Sequence, residues 1–362
     1  MVSVTETTVF SALQNIQFPL LEQSYCALDA VESVEVNDDG VKVTVCLGMH
    51  THSQNPIFAL ALTAQLEEMG VANVQLRIKN NVFPSPSLLR NGQLKDVKNI
   101  VMVASGKGGV GKSTTAVNLA LALQAEGAKV GILDADIYGP SMSTMLGIAE
   151  GTKPQLVDEK FIEPIKKFGL KSMSVAYMSA QKTPMIWRGP MAVKALQQFL
   201  EMTLWGALDY LIIDMPPGTG DIHISLAQKV NVSAAVVVTT PQEMALTDAR
   251  KGIEMFNKVH IPVLGIIENM ATHVCSNCGF EESIFGSGGA QSLAQQYQVS
   301  LLGSLPLNKQ VREHVDAGIP TVVKAPASAL AQAYLSLANQ VGAQLWHTNL
   351  QSVAIPEIQM VD

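Results

Sequence analysis

Alternating apolar and polar residues predict a small mixed domain over residues 1–80. The segments VESVEV and VKVTVCL have a period of two and flank the turn sequence NDDG, a combination typical of a β-hairpin. Apolar residues at helical spacing precede and follow this hairpin. The predicted order is α-β-β-α-β, with elements over residues 4–16, 31–36, 41–47, 56–69 and 71–78.

The pattern changes after this domain. Residues 81–98 carry two prolines, a glycine and many polar residues without a sustained period, and we interpret them as a linker. From residue 99 to 345, short apolar runs alternate with segments of helical spacing, which is typical of strands buried in a parallel sheet. This predicts an α/β domain with a mostly parallel sheet flanked by helices. A helix over 327–345 is predicted to cap that domain, and 346–362 to form a tail that frays.

A glycine-rich loop joins the first of these strands to a helix. The run VMV is followed by ASGKGGVGKSTT, in which the spacing G-x-x-x-x-G-K-[ST] extends from Gly106 to Ser113. Residues without side chains at a helix N-terminus let consecutive backbone N–H groups surround phosphate oxygens. We predict that Lys112 contacts the β- and γ-phosphates of a nucleotide and that the Ser113 hydroxyl ligates Mg²⁺. The predicted nucleotide-binding loop consists of Gly106, Lys107, Gly108, Gly109, Val110, Gly111, Lys112, Ser113 and Thr114.

Three carboxylates are predicted to lie at the same edge of the sheet as this loop. Asp134 and Asp136 follow the apolar run VGIL, and Asp214 follows the run LII. Ligands of open α/β sheets bind beyond the carboxyl ends of the strands. We therefore predict that these side chains face the nucleotide, with Asp214 holding Mg²⁺ through water. The following segment, PPGTGD, is predicted to act as a switch loop that senses the γ-phosphate.

The chain contains four cysteines, and two of them form the sequence C-x-x-C at Cys275 and Cys278. Four cysteines are too few for a disulfide scaffold in a chain of this size. Two thiolates at this spacing can face a single metal centre, and a four-thiolate site then needs two further ligands. A redox dithiol is an alternative interpretation. The sequence favours metal ligation by these two residues.

Composition narrows the functional class. The chain has 362 residues, of which 48% are hydrophobic and 15% charged, as expected for a well-packed globular protein. Its net charge of −7 argues against nucleic acid as a partner, because binding to phosphate backbones needs a basic face. There is no run of 18 apolar residues, and the first residues lack the order of a signal peptide. We expect a cytoplasmic protein that binds neither nucleic acid nor membranes.

Lys107 gives the loop the sequence GKGGVGKS, which resembles the deviant phosphate loop of the MinD-like ATPases. That resemblance implies a homodimer in which Lys107 reaches the partner's nucleotide. It also implies that Asp136 orients the attacking water, that Asp134 belongs to the Mg²⁺ environment and that Asn269 reads the adenine edge. The predicted catalytic residues are Lys107, Lys112 and Asp136. A twofold axis would place the cysteine pair opposite its copy, which completes a four-thiolate site for a [4Fe-4S] cluster or for zinc.

The motifs GKGGVGKST, LDADIYGPS, WRGPM, DMPPGTGD, TTPQEMAL, IENM and C-x-x-C together resemble the Mrp/ApbC iron-sulfur cluster carrier ATPases, over residues 99 to about 340. The resemblance implies a P-loop NTPase fold and a homodimer that hydrolyses ATP with Mg²⁺. It also implies that the dimer holds a [4Fe-4S] cluster and passes it to apo iron-sulfur proteins, with a cluster-assembly scaffold as a further partner. For Arg188 in WRGPM, contact with a phosphate, contact with the partner chain and a structural salt bridge all remain open.

Residues 1–80 resemble the iron-sulfur assembly domain that often precedes such ATPases. In that domain a Cys-Pro commonly stands where this chain has Asn55-Pro56, which favours a docking or regulatory role here. The alternative function for the whole chain is a MinD- or ParA-like positioning ATPase with a structural zinc at the C-x-x-C.

Overall fold

The computed structural model describes residues 5–38, 40–87, 92–178, 189–220, 223–226, 230, 232–275 and 277–353. By its internal contacts the chain divides into two compact units. Unit 1 comprises Met1–Phe83 and Asn339–Asp362, and unit 2 comprises Pro84–Ala338. Arg188 and Asp221, both singled out by the sequence, lie outside the described residues. No helix within the described ranges is long and apolar enough to cross a bilayer.

Unit 1 begins with two helices and three strands. These are α1 (Glu6–Asn15), β1 (Val31–Asn37), β2 (Gly40–Leu47), α2 (Asn55–Glu68) and β3 (Val74–Asn80). β2 is the central strand, antiparallel to β1 and parallel to β3. A capping box between the side chains and backbone N–H groups of Thr5 and Thr8 fixes the start of α1. The predicted α-β-β-α-β order is confirmed.

Unit 2 contains the remaining strands and most of the remaining helices. Its strands are β4 (Val97–Ser105), β5 (Val130–Asp134), β6 (Leu156–Val157), β7 (Phe161–Ile162), β8 (Ile165–Lys167), β9 (Leu170–Ser174), β10 (Leu208–Pro217), β11 (Ala234–Thr239), β12 (Val263–Val274), β13 (Glu281–Glu282) and β14 (Ser300–Leu307). The helices that follow β4 in the chain are α3 (Lys112–Ala125), α4 (Met142–Met145), α5 (Gly189–Met202), α6 (Glu243–Lys258), α7 (Gly289–Tyr297), α8 (Lys309–Asp316), α9 (Thr321–Lys324) and the terminal helix α10 (Ala329–Val353).

One mixed sheet forms the centre of unit 2. Its strand order is β13-β12-β11-β4-β10-β5-β9-β8, and β14 pairs with β12. All pairings are parallel except those of β8 and β13, which are antiparallel. β4 lies between β10 and β11, so the loop that follows β4 is flanked by the carboxyl ends of both neighbours. The predicted mostly parallel sheet with flanking helices is confirmed.

The terminal helix differs from its sequence prediction in length and in the unit that it stabilises. α10 continues to Val353, whereas the sequence pattern indicated an end at Leu345. Its residues from Asn339 onward group with unit 1, where Trp346 is 1% exposed in the core. The Trp346 ring packs edge-on against Phe18, with ring centroids 5.7 Å apart. Gly48 makes this packing possible, since a Cβ there would lie 2.3 Å from the indole ring.

Candidate functional site

The phosphate loop connects β4 to α3 and encloses a cavity. At Gly106 a Cβ would lie 2.1 Å from the backbone oxygen of Asp248, and at Gly111 it would lie 2.2 Å from Asn269 Nδ2. The backbone at these two positions therefore needs glycine for close approach. No atom of the described residues lies within 4 Å of a Cβ placed on Gly109, so this part of the loop is open on that side. The loop is closely packed at Gly106 and Gly111 and open at Gly109, which leaves a cradle of the kind that phosphate binding requires.

The cradle has a volume of about 210 Å³. It is lined by Ser105, Lys107, Gly108, Gly109, Gly111, Lys112, Ser113, Thr114, Asp136, Met145 and Pro217. Lys107 is exposed at its rim, and the Lys107 backbone oxygen accepts a hydrogen bond of 2.9 Å from Ser105 Oγ. The structure thus brings most of the predicted loop residues and Asp136 to one cavity. Met145 is a lining residue that the sequence reasoning missed.

A buried ion pair lies at the base of the cradle. Lys112 Nζ is 2.5 Å from Asp214 Oδ1 and 3.1 Å from Ser113 Oγ. Lys112 is 6% exposed and Asp214 is fully buried. Burial raises the pKa of Asp214, and the adjacent ammonium of Lys112 opposes that rise. Asp214 Oδ2 is buried and accepts no hydrogen bond from any described residue.

The oxygen atoms at this position suit a hard divalent cation. Mg²⁺ takes oxygen ligands from carboxylates and hydroxyls and retains several waters. Asp214 Oδ2, which lacks a hydrogen-bond partner among the described residues, and the Ser113 hydroxyl provide such oxygens beside the phosphate cradle. These two residues therefore fit the predicted Mg²⁺ site.

Asp134 lies behind Asp136 and holds the loop that carries it. Asp134 Oδ1 accepts a hydrogen bond of 3.1 Å from the Asp136 N–H, and Oδ2 accepts from the Ser141 N–H at 3.1 Å and from Ser174 Oγ at 3.0 Å. Burial, together with the nearby Asp214 carboxylate, raises the pKa of Asp134 to about 7. Because both oxygens already accept hydrogen bonds and the side chain does not line the cradle, Asp134 acts in this structure on the loop conformation.

The segment after β10 closes one side of the cradle. The Gly218 N–H donates to the Ser105 backbone oxygen at 2.9 Å, which ties this segment to the end of β4. His223 Nε2 lies 2.7 Å from the Pro216 backbone oxygen, so this ring nitrogen is the donor. Burial lowers the pKa of His223. The sequence reasoning missed His223, since a single histidine beyond a glycine-rich loop carries no periodic or motif signal.

A second cavity, of about 310 Å³, adjoins the cradle and shares Gly111, Thr114 and Met145 with it. Its other lining residues are Asn269, Met270, Pro306, Leu307, Asn308, Val311, Arg312, Val315 and Asp316. Asn269 Nδ2 donates a hydrogen bond of 2.8 Å to the Val110 backbone oxygen, so this side chain also holds the phosphate loop.

The wall from Pro306 to Asp316 was not predicted to contribute to the site. β14 ends at Leu307, and the side chain of Asn308 caps α8 by accepting from the Gln310 N–H at 2.8 Å. The wall follows the carboxyl end of β14, where ligands of parallel sheets bind, so the short strand predicted here carries the signal for it.

Cys275 and Cys278 lie at the tip of the hairpin formed by β12 and β13. The Cys275 N–H donates to the Phe280 backbone oxygen and the Gly279 N–H donates to the Cys275 backbone oxygen, both at 2.9 Å. Gly279 has a φ of 72°, which favours glycine in this turn. Both thiols are free, with Cys275 half-buried and Cys278 exposed.

The hairpin tip favours the thiolate form of Cys275. The backbone N–H groups of Cys278 and Asn277 lower the pKa of the Cys275 thiol. Among the described residues there is no group of three or more His, Cys, Asp or Glu side chains that could hold a metal ion. The predicted cysteine pair therefore lies together at an accessible position, and a four-coordinate metal would need ligands beyond the described part of one chain.

Comparison with known proteins gives consistent similarities. The family model described as ParA, NUBPL iron-transfer P-loop NTPase, matches residues 96–342. The iron-sulfur cluster carrier protein of Escherichia coli (strain K12) is 50% identical over 339 residues, a span of 93% of this chain and 92% of that protein.

Two solved structures each cover about two thirds of the chain. The nucleotide-binding protein of Archaeoglobus fulgidus, in complex with ADP and with Co, has a TM-score of 0.56 at 38% identity and covers 62% of this chain and 88% of its own. The septum site-determining protein MinD of Pyrococcus horikoshii, complexed with Mg-ADP, has a TM-score of 0.50 at 26% identity and covers 67% of this chain and 95% of its own. The predicted MinD-like P-loop NTPase fold is confirmed.

Proposed function

The chain belongs to the family of NUBPL iron-transfer P-loop NTPases, and from this premise we propose that it is an ATP-hydrolysing carrier of [4Fe-4S] clusters. In this proposal a homodimer binds the cluster between its subunits and transfers it to apo iron-sulfur proteins. One observation carries the proposal. The strand β12 contains Asn269, which holds the phosphate loop, and ends at Val274, directly before the free and accessible Cys275.

The nucleotide site supports ATP as the substrate. The backbone N–H groups from Gly108 to Thr114 surround the phosphates, and Lys112 contacts the β- and γ-phosphates. Ser113 and Asp214 would hold Mg²⁺, which would neutralise charge on the phosphate oxygens. The base occupies the second cavity, with the Asn269 carboxamide at its edge.

Hydrolysis in this proposal depends on Asp136 and on Lys107. Asp136 lines the cradle and is held by the hydrogen bond from the Gly139 N–H to its Oδ1 at 3.1 Å, where it can orient water toward the γ-phosphorus. Attack by that water breaks the bond between the γ-phosphorus and the bridging oxygen and yields ADP and phosphate. Lys107, exposed at the rim, extends to the nucleotide of the partner chain and stabilises the transferring phosphoryl group.

The cluster is the cargo of the protein. One chain supplies two thiols at an exposed hairpin tip, and the described residues contain no third metal ligand beside them. A twofold axis brings the same pair from a second chain to face the first, and four thiolates are the ligand set of a [4Fe-4S] cluster. The lowered pKa of Cys275 favours the thiolate that binds iron.

Nucleotide state and cluster binding are coupled through β12 in this proposal. Asn269 and Val274 are five positions apart in β12, at most roughly 17 Å along an extended strand. A change in the phosphate loop that displaces Val110 acts on Asn269 through their hydrogen bond, and β12 transmits the displacement past the irregularity at Met270 to the hairpin tip. The two chains then hold the four thiolates closer together or further apart.

The test is anaerobic reconstitution with iron and sulfide, followed by metal and sulfide analysis. We expect about four iron and four sulfide per two wild-type chains, and almost none for C275A. The matched control is C46A, which removes a half-buried thiol from unit 1 and should leave the iron content unchanged. Iron retained in C275A contradicts the proposal. Stoichiometric zinc without sulfide would favour the positioning ATPase with a structural zinc.

A further inference from the structure

Helix α2 carries apolar side chains on two opposite faces. One face packs into the core of unit 1 through Phe58, Leu62 and Leu66. The opposite face, which we name the α2 stripe, consists of Ile57, Leu60, Ala61 and Ala64. Leu60 is 74% exposed and Ile57 is 57% exposed. A helix with apolar residues all round normally has neighbours on both sides, and contiguous exposed apolar residues mark interaction sites.

The structure holds this helix firmly at both ends. At its start, Asn55 Nδ2 donates to Asn80 Oδ1 at 2.8 Å, and Thr51 Oγ1 donates to Asn55 Oδ1 at 2.5 Å. At its end, the Val71 N–H donates to the Leu66 backbone oxygen at 3.0 Å, and Gly70 adopts a φ of 88°. The stripe is therefore a rigid, preformed surface, which lowers the entropic cost of binding.

The negative net charge of the chain resides in unit 1, whereas unit 2 is close to neutral. Unit 1 contains eleven Asp and Glu against three Lys and Arg, whereas unit 2 contains twenty against twenty-one. Glu67 and Glu68, both exposed, continue the stripe at the end of α2. Neither forms an ion pair with any residue that the structure describes. The stripe thus has an apolar centre and an acidic end on an acidic unit.

We propose that the α2 stripe is the docking site for a partner protein that presents an apolar helix face bordered by Lys or Arg. The negative charge of unit 1 favours a basic partner over the other candidates. A second copy of unit 1 would bring two acidic surfaces together, and residues 354–362 of this chain contain Glu357 and Asp362 but no basic residue. Nucleic acids and anionic membranes are repelled by the same charge. A basic partner gains apolar contact at Leu60 and attraction at Glu67 and Glu68.

The test measures binding of defined peptides to the full-length chain by fluorescence anisotropy. The probe is a labelled amphipathic helical peptide of about 16 residues with leucines on one face and lysines on the other. A peptide with glutamate in place of every lysine and a scrambled lysine peptide serve as comparisons. We expect the lysine peptide to bind, and the variant I57Q/L60Q to bind it about tenfold more weakly or worse, the range for anchor residues.

Two variants complete the design. L156Q removes a leucine of similar exposure, 64%, from unit 2 and should leave binding unchanged. E67Q/E68Q should weaken binding at low salt and have little effect at high salt, because exposed charges are screened. The proposal is overturned if the lysine peptide fails to bind, if I57Q/L60Q binds it as wild type does, or if the glutamate peptide binds equally well. None of these binding measurements requires a cluster or a nucleotide, so their outcome is independent of the proposed carrier function.

Discussion

Replacing Lys112 by methionine tests whether Lys112 and Asp214 form a desolvated ion pair beneath the phosphate loop. The two charged atoms are 2.5 Å apart, and the side chains are 6% and 0% exposed. Their Coulomb attraction at an effective dielectric constant of 20 is about 7 kcal/mol, most of which offsets desolvation. Removal of one partner from a buried pair costs about 3–5 kcal/mol, because the remaining charge is left without a counterion. We expect K112M to lower the free energy of unfolding of unit 2 by about 3 kcal/mol or more.

The assay is urea unfolding of the nucleotide-free full chain, with hydrogen exchange in β10 as the local measure of unit 2. Wild type, K112M, D214N and the double variant form a thermodynamic cycle. We expect the double variant to be more stable than the sum of the single effects predicts, by about 2 kcal/mol. The control is K251M, because Lys251 pairs with Asp248 at 2.9 Å but is 60% exposed. Such a pair contributes less than about 1 kcal/mol.

The pH dependence of the stability of K112M is a second test of the same ion pair. Without Lys112, the pKa of Asp214 rises further, so the buried carboxyl can bind a proton and the loss of stability should shrink as the pH falls. If the free energy of unfolding of K112M lies within about 1 kcal/mol of the wild-type value at neutral pH, the two charges are solvated and the reasoning is refuted. Additive effects of K112M and D214N in the cycle would refute it as well.

The remaining predictions concern the dimer, the loop carboxylate and the terminal helix. A mixture of K107A and D136N chains should recover about a quarter of the wild-type ATPase rate, since half of the dimers then hold one complete site; no recovery means that Lys107 acts within its own chain. Because the pKa of Asp134 is raised to about 7 in the folded state, protonation of this carboxyl stabilises the fold fully below about pH 4, and that stabilisation is lost as the pH rises to 7. The free energy of unfolding of wild type should therefore fall between pH 4 and 7 by up to about 4 kcal/mol more than that of D134N. Equal pH profiles of the two proteins would contradict this. W346A should destabilise unit 1 by about 3–5 kcal/mol in thermal unfolding, and an unchanged transition would mean that the indole does not fill its core.

Much of the nucleotide site was predictable because its signals are local. The phosphate loop is a contiguous motif, and its strand and helix follow from apolar periodicity. Asp134 ends β5, Asp136 lies two residues beyond it and Asp214 lies near the end of β10, and the two strands pair with Asp134 opposite Asp214. The rule for ligand position in parallel sheets points to this edge without knowledge of the strand order, but it does not show that Asp136 lines the cradle whereas Asp134 lies behind it.

The residues that sequence reasoning missed depend on contacts between distant segments. Trp346 packs on Phe18, and the two are separated by almost the whole chain, so the end of α10 had no local signal for its partner. The different roles of Asp134 and Asp136 were not predictable from the sequence either, because they depend on four donors that converge on the Asp134 carboxylate. Hydrophobic periodicity does show that α2 is apolar on both faces, but only the structure shows which face remains exposed.

The central claim is that two chains hold one cluster through four thiolates. Native mass spectrometry of the anaerobically reconstituted full-length protein measures this directly. The account predicts a species with the mass of two chains plus a single [4Fe-4S] cluster, which is absent from C275A and C278A preparations. A cluster bound to a single chain, or a dimer whose added mass is that of zinc alone, would contradict it.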